Sequence, residues 1–269
     1  MCELLAISSR YPTRVDFSLE RLARHGGREG PHRDGWGVAY VEGRDALVLR
    51  EPHSASDSAL VRFMEQNGPP SDLVISHIRL ATQGEVALMN TQPLQRELGG
   101  RVHVFAHNGR LQGIEDHCDL ASKRFLPVGD TDSEVAFCCL LERLAGLWAT
   151  AGNEPPPLEV RLQAIADFAA WLRPFGPANF LYADGDALFV HAHRRTQKDG
   201  EIRPPGLHLL GRSCDVDASG VEQAGVAPGS EAQKVSLVAS VPLGDESWEP
   251  LAEGEVLALI RGEVVTRLG

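Results

Sequence analysis

Short hydrophobic runs alternate with polar and turn-forming residues along most of this chain. The runs are rich in β-branched and aromatic side chains and are bounded by Gly, Asp or Pro, which is typical of β-strands. The dipeptides Gly185-Asp186 and Arg261-Gly262 separate neighbouring runs and favour tight hairpin turns. The predicted strands are Cys2–Ser8, Trp36–Val41, Ala46–Arg50, Leu73–Ile78, Val102–His107, Asn179–Ala183, Ala187–His193, Leu207–Leu210, Lys234–Val241, Val256–Ile260 and Glu263–Thr266.

Two long stretches carry their hydrophobic residues at helical spacing instead. The first is predicted over Ser133–Trp148, and Thr131 and Glu134 have the spacing of a capping box at its start. The second is predicted over Leu158–Leu172, with proline before and after it. Shorter helices are predicted at Leu19–Arg24 and Ser58–Gln66.

The order of these elements indicates the fold class. The strands follow one another in runs, often through hairpins, and do not alternate strictly with helices. This order favours an α+β fold in which antiparallel sheets are flanked by helices. Because strands continue to Thr266 and no low-complexity linker interrupts the chain, residues 1–269 are predicted to form a single domain.

Composition narrows the classes of partner. Hydrophobic residues make up 43% of the chain, enough for a sizeable core, and the formal net charge is −11. An excess of acidic residues argues against nucleic acid or an anionic membrane as a partner. No stretch approaches the roughly 20 apolar residues of a membrane span, and no signal region opens the chain. We therefore expect a cytoplasmic protein that binds neither nucleic acid nor membrane.

The five cysteines form no recognisable framework. Their number is odd and no C-x-x-C is present, so the sequence suggests neither a disulfide framework nor a zinc site. Cys138 and Cys139 lie within an apolar helical stretch, where we expect them only to pack. The sequence indicates no metal and no cofactor.

Cys2 is the most informative of the cysteines because of its position. Removal of Met1 would place a thiol and a free α-amine on one residue. A thiol is a strong nucleophile, and an α-amine has a pKa of about 8, so a share of it is free base at neutral pH. One residue could then supply both nucleophile and base. The alternative is that Cys2 is a small buried strand residue.

Three further positions carry polar chemistry at the ends of predicted elements. Arg79 and Thr82 follow one strand, Asn108-Gly109 ends another, and Asp132 precedes the first long helix. Each also has a structural explanation: a surface arginine, a hairpin turn at Asn-Gly, and an acidic residue that favours a helix N-terminus.

Arg79, Thr82 and Asp132 together suit the recognition of free glutamine. Arg79 can hold the α-carboxylate with a two-pronged hydrogen bond, and Thr82 can add another. Asp132 can take the α-ammonium group.

Cys2, Asn108 and Gly109 suit the reaction of the same substrate. Attack of the Cys2 thiol on the γ-amide creates an oxyanion. The side-chain amide of Asn108 and the backbone N–H of Gly109 could stabilise that oxyanion.

These motifs resemble those of the class II glutamine amidotransferases. The resemblance implies the four-layer αββα sandwich of N-terminal nucleophile hydrolases. It also implies that Cys2 is the nucleophile with its own α-amine as base, that Arg79 binds the carboxylate, that Asn108 and Gly109 form the oxyanion hole, and that Asp132 binds the amine. The motifs that carry it are Cys2, His77–Gly84, His107-Asn108-Gly109 and Gly129–Glu134.

A closer resemblance, nearly end to end, is to the stand-alone bacterial group of the YafJ type. It is carried by Met1–Leu5, Gly30–Gly37, Gly84–Leu88 and Val241–Trp248. The chain is thus interpreted as a glutaminase that hydrolyses glutamine to glutamate and ammonia, with any acceptor on a separate synthase partner. Two alternatives are a hydrolase of another γ-glutamyl amide and a non-catalytic glutamine-binding module.

Overall fold

The computed structural model describes residues 2–14, 26–27, 30–120, 123–214 and 232–269. Among these residues are three α-helices and fifteen strands, together with short 3-10 turns. The helices are α1 (Ala59–Asn67), α2 (Asp132–Ala149) and α3 (Leu158–Leu172). The strands are β1 (Glu3–Thr13), β2 (Trp36–Glu42), β3 (Asp45–Glu51), β4 (Ser71–Ile78), β5 (Leu94–Leu98), β6 (Arg101–Gly109), β7 (Ala178–Ala183), β8 (Leu188–His191), β9 (Arg195–Thr196), β10 (Ile202–Arg203), β11 (His208–Cys214), β12 (Gln233–Ala239), β13 (Glu249–Pro250), β14 (Val256–Ile260) and β15 (Glu263–Leu268).

Two large sheets contain most of the strands. The first has the order β13-β11-β12-β1-β4-β2-β3 and the second the order β15-β14-β8-β7-β6-β5; β9 and β10 form a separate two-stranded ribbon. Neighbouring strands in both sheets are antiparallel. Strand β1 is central in the first sheet, since it pairs with β12 on one side and β4 on the other.

Side chains of the two sheets alternate between an inner and an outer apolar layer. Leu4 and Ala6 of β1 belong to the cluster between the sheets, together with Val104 and Ala106 of β6. Outer-facing residues of the second sheet pack on α2 and α3, and those of the first sheet pack on α1. The result is the four-layer αββα arrangement with two antiparallel sheets that the sequence predicted.

Most predicted elements are confirmed, with shifted ends. The long helices occupy Asp132–Ala149 and Leu158–Leu172, and hairpins lie at Gly185-Asp186 and Arg261-Gly262, where Arg261 has φ 48° and Gly262 has φ 79°. Strand β5 and the β9–β10 ribbon were not predicted, because both are short and carry charged side chains. The predicted helix Leu19–Arg24 lies outside the described residues. None of the described helices is both long and apolar enough to cross a membrane.

The prediction for the cysteines was wrong at one pair. The structure joins Cys118 to Cys139 as a disulfide, with their Cα atoms 6.4 Å apart. The two residues are 21 positions apart in sequence: Cys118 directly follows the turn Ile114–His117, and Cys139 lies in α2. The spacing of the cysteines in the sequence does not indicate this disulfide, because only the tertiary packing brings the two residues together. Cys138 is buried in the core, as expected.

Candidate active site

Cys2, Arg79 and the end of β6 meet at one end of the sandwich. Antiparallel pairing places the start of β1 beside the end of β4, since Glu3 pairs with Ile78, so Cys2 and Arg79 emerge next to each other. Strand β6 of the opposite sheet ends at the same place. There, Asn108 Nδ2 donates a hydrogen bond to the carbonyl oxygen of Cys2 across the gap between the sheets.

Cys2 is a half-buried residue, and its thiol contacts the backbone of Leu80. The backbone N–H of Leu80 donates to Cys2 Sγ at 3.3 Å, and Sγ lies 3.5 Å from the Leu80 carbonyl oxygen. Burial raises the pKa of this thiol, while the Leu80 N–H and the Arg79 guanidinium act in the opposite direction. The thiol is therefore protonated at neutral pH unless a base takes its proton.

Arg79 is almost wholly buried and organises the loop that follows it. Its guanidinium donates to the carbonyl oxygens of Gln83, Gly84 and Glu85 at 2.9, 3.3 and 2.9 Å. Burial lowers the pKa of Arg79, and the nearby Cys2 and Asp34 oppose that shift. This burial excludes the surface-arginine explanation.

Thr82 lies on the same loop. It is exposed, and no hydrogen bond joins its hydroxyl group to another residue in the described part of the chain. Gln83 instead connects the loop to its surroundings, since its side-chain amide donates to Glu115 at 3.2 Å and to the Asp130 carbonyl at 3.5 Å. The Arg79 loop therefore adjoins the segment that leads into α2.

Asn108 and Gly109 belong to the paired end of β6 and not to a hairpin turn. Asn108 pairs with Asn179 and Gly109 with Ala178 on β7. Asn108 is fully buried, and its Oδ1 has no hydrogen-bond partner among the described residues. A side chain at Gly109 would collide with the Pro177 carbonyl oxygen, so only glycine fits this position.

Asp132 is buried at the first position of α2. Its Oδ2 accepts the Leu111 N–H at 2.6 Å, and its Oδ1 accepts the Ser133 N–H at 2.8 Å and the Ser133 hydroxyl at 3.4 Å, which leaves a lone pair on Oδ2. Ser133 in turn meets His107, with Oγ and Nδ1 2.9 Å apart. Burial lowers the pKa of His107, and the charge of Asp132 opposes that shift.

The predicted capping box at this helix is present in one direction. Thr131 Oγ1 accepts the Glu134 N–H at 3.4 Å. The Glu134 carboxylate does not return to Thr131; it accepts the Gly129 N–H at 2.6 Å and forms an ion pair with Arg96. These contacts hold in place the short segment that precedes Asp132.

His77 is a buried residue of the site region to which sequence reasoning gave no role. It lies opposite Leu4 on the inner face, and neither ring nitrogen has a partner among the described residues. Burial, helped by the charges of Arg79, His107 and His32, lowers the pKa of His77 to about 3. The ring is therefore neutral under physiological conditions.

Sequence reasoning also missed residues that hold the others. Ser240 accepts hydrogen bonds from Asn108 and from the Leu4 backbone, and Asn179 donates to the Asn108 carbonyl at 3.2 Å. The Gln92 side chain accepts the His107 N–H at 2.7 Å. Asn179 begins a predicted strand and Ser240 directly precedes the motif Val241–Trp248, but neither pattern suggested a contact with Asn108.

This chain is similar to known proteins over nearly its whole length. The family model "Glutamine amidotransferases class-II" matches residues 1–268. The YafJ protein of Escherichia coli (strain K12) is 35% identical over 268 residues, which cover 98% of this chain and 100% of that protein. The crystal structure of a predicted glutamine amidotransferase from Pseudomonas aeruginosa PA01 has a TM-score of 0.65 and 32% identity, and covers 98% and 100% of the two chains.

A more distant solved structure supports the fold alone. It is the glutamine phosphoribosylpyrophosphate amidotransferase from B. subtilis, with a TM-score of 0.59 and 18% identity. The likeness covers 96% of this chain and 47% of that chain. The two-sheet sandwich is thus shared with about half the length of that chain.

Proposed function

Because the chain belongs to the class II glutamine amidotransferase family and is therefore an enzyme, we propose that it hydrolyses the γ-amide of glutamine with the Cys2 thiol as nucleophile. The observation that carries this proposal is the hydrogen bond from Asn108 Nδ2 to the Cys2 carbonyl. It brings an amide donor from one sheet beside the nucleophile of the other. We further propose that residues 1–269 form one glutaminase domain and that the reaction takes place in the cytoplasm.

In this proposal the substrate is held by its α-carbon groups. Arg79 binds the carboxylate, because its guanidinium carries five N–H groups and three hydrogen bonds hold the loop, which leaves donors for a ligand. Asp132 binds the ammonium group through the Oδ2 lone pair that Leu111 does not occupy. The exposed Thr82 hydroxyl is assigned a hydrogen bond to the carboxylate.

The chemical step requires a base next to Cys2. Burial raises the pKa of the thiol, so the reactive thiolate must be formed by proton transfer. After removal of Met1, the α-amine of Cys2 is the base nearest to its own sulfur. It takes the thiol proton as sulfur attacks the amide carbon, and it returns that proton to the leaving nitrogen.

The remaining steps complete a balanced hydrolysis. The oxyanion of the tetrahedral intermediate accepts hydrogen bonds from Asn108 Nδ2 and the Gly109 N–H. Ammonia leaves and a γ-glutamyl thioester remains on Cys2. Water then adds to the thioester, glutamate departs, and the thiol is restored. We place any ammonia acceptor on a separate synthase partner, because both large sheets and the three helices of the described residues belong to the glutaminase sandwich.

A second candidate substrate is a larger γ-glutamyl amide. The segment 30–37 lies directly on the strand end that carries Arg79: Asp34 accepts the Ala81 N–H at 2.7 Å, and Arg79 N–H donates to the Gly35 carbonyl at 2.8 Å. A segment so close to the nucleophile can contact whatever extends beyond the amide nitrogen. Groups that recognise the α-carbon end do not distinguish the two substrates.

Intact-mass measurement combined with a glutaminase assay tests the proposed mechanism. We expect chains that begin at Cys2 to release glutamate, and chains that retain Met1 to be inactive, because a peptide bond makes the nitrogen non-basic. Cys2→Ala should abolish turnover. Cys138→Ala, which removes a thiol buried in the helical core, should retain it. Full activity from a sample shown by mass to keep Met1 would overturn the proposed base.

A further inference from the structure

Ser240 is fully buried where the first sheet meets the second. It lies one residue beyond β12 and continues the pairing of that strand with β1, since its N–H donates to the Leu4 carbonyl at 3.0 Å. Its hydroxyl oxygen accepts the Leu4 N–H at 3.0 Å as well. Backbone and side chain of Ser240 therefore both hold the start of the strand that carries Cys2.

The same hydroxyl reaches the opposite sheet. Asn108 Nδ2 donates to Ser240 Oγ at 3.1 Å. A hydroxyl oxygen has two lone pairs, so the Leu4 N–H and the Asn108 amide occupy its full accepting capacity. Ser240 is thus a direct hydrogen-bonded link between the strand of the proposed nucleophile and the strand of the proposed oxyanion donor.

The hydrogens of the Asn108 amide explain what this link does. The amide nitrogen carries two hydrogens; one is directed to Ser240 Oγ and the other to the Cys2 carbonyl. The bond to Ser240 fixes which side of the carboxamide faces Cys2, and Oδ1 has no hydrogen-bond partner among the residues that the structure describes. The hydrogen directed at Cys2 is then the one that can turn to an oxyanion formed at the thiol.

We propose that Ser240 is a positioning residue that orients the Asn108 carboxamide for oxyanion stabilisation. The assignment rests on the proposed glutaminase function. Ser240 touches neither the α-carboxylate nor the α-ammonium site, which belong to Arg79 and Asp132. Its loss should therefore slow the chemical step and leave substrate binding nearly unchanged.

A carbonyl contact holds Ser240 itself in place. Arg195 Nη1 donates to the Ser240 carbonyl oxygen at 2.8 Å. Burial lowers the pKa of Arg195, while the charge of Glu3, the neighbour of Cys2 in the chain, opposes that shift. The link thus extends from the ribbon strand β9 through Ser240 to the nucleophile strand.

The test compares two serine variants of the same strand region. Ser240→Ala removes the acceptor, and Ser236→Ala is the matched control. Ser236 lies on the same face of β12, is also buried, and donates its hydroxyl to the Gly262 carbonyl at 2.8 Å, away from the site. We expect Ser240→Ala to lower kcat by roughly tenfold or more with KM changed less than about threefold, since one oxyanion donor accounts for about a hundredfold. Ser236→Ala should leave kcat and KM unchanged.

A double-mutant cycle separates positioning from general loosening of the fold. In an Asn108→Ala background, Ser240→Ala should cause no further loss of kcat, because the group that it orients is absent. A further tenfold loss, or equal kcat for Ser240→Ala and Ser236→Ala, would overturn the assignment. If the alanine variant does not fold, Ser240→Cys keeps the size and replaces the hydroxyl by a weak acceptor, and the same fall in kcat is expected.

The wild-type enzyme distinguishes failure of this assignment from failure of the proposed function. Each variant is assayed with glutamine and with γ-glutamyl methylamide, because both substrates form an oxyanion at the same place. Wild-type protein inert toward both amides would overturn the proposed function and, with it, the role of Ser240. Active wild-type protein with an unaffected Ser240→Ala variant would overturn the role of Ser240 alone.

Discussion

Replacement of Arg79 by lysine probes the substrate carboxylate site most directly. The guanidinium has five N–H donors and spends three hydrogen bonds on the carbonyl oxygens of residues 83–85, which leaves two donors for a ligand. An ammonium group has three donors in all. Lysine therefore cannot hold both the loop and the carboxylate, although the charge is kept.

The expected size of the effect follows from this count. Loss of one charge-assisted hydrogen bond costs about 1.5–3 kcal/mol, which corresponds to a rise in KM of roughly 10- to 150-fold. Because Arg79 contacts the non-reacting end of glutamine, kcat should fall by much less than KM rises.

Steady-state glutamate release over a wide range of glutamine concentrations measures both constants. Arg101→Lys is the control, since Arg101 lies at the opposite end of β6 and contacts the Gly185 carbonyl at 3.4 Å. Its KM should match that of the wild type. An unchanged KM for Arg79→Lys, or a loss confined to kcat, would refute carboxylate binding by Arg79.

Three other predictions address the reaction, the substrate and stability. Asn108→Ala should lower kcat by about a hundredfold or more with a modest change in KM, and near-normal turnover would return Asn108 to a purely structural role. Glutamine should match or exceed γ-glutamyl methylamide in kcat/KM; a preference for the methylamide above about tenfold, or ~1.4 kcal/mol, would favour the γ-glutamyl amide hydrolase. Burial lowers the pKa values of His77, His103 and His191 to about 3, 4 and 3, so below the ordinary value of about 6.5 the unfolded chain takes up protons that the folded chain does not. The contribution of these three histidines to the free energy of unfolding should be constant above that pH. It should fall by about 3–4 kcal/mol between pH 6 and pH 5, as measured by urea unfolding, and an equal free energy of unfolding at the two pH values would contradict neutral buried rings.

The sequence predicted which candidate site residues lie at the ends of strands or at the start of a helix. Arg79 and Asn108 each follow a hydrophobic run that places side chains in the apolar layer between the sheets. Asp132 follows the helix cap residue Thr131, which accepts the Glu134 N–H. Local chemistry alone nonetheless favoured a hairpin turn at Asn108-Gly109. Pairing with β7 overrides that preference, since the backbone groups of both residues face a neighbouring strand.

Other features depend on contacts that no local pattern contains. The hydrogen bond from Asn108 to Ser240 depends on the pairing of β12 with β1 and on the distance between the two sheets. The Cys118–Cys139 pair depends on how a short turn lies on α2. The exposure of the Thr82 side chain depends on the loop that follows Arg79, whose carbonyl oxygens at residues 83–85 bind the Arg79 guanidinium.

The central position of β1 has a consequence for how the chain folds. Leu5 pairs with Ser76 on one side and with Ala239 on the other. Closing a loop costs about (3/2)RT ln n, so the distant pairing costs about 1 kcal/mol more than the nearer one, and β1–β4 should form first. During synthesis the other edge of β1 then stays open until residues 233–239 leave the ribosome. We therefore expect slow folding, and an aggregation-prone intermediate in chains that end before β12.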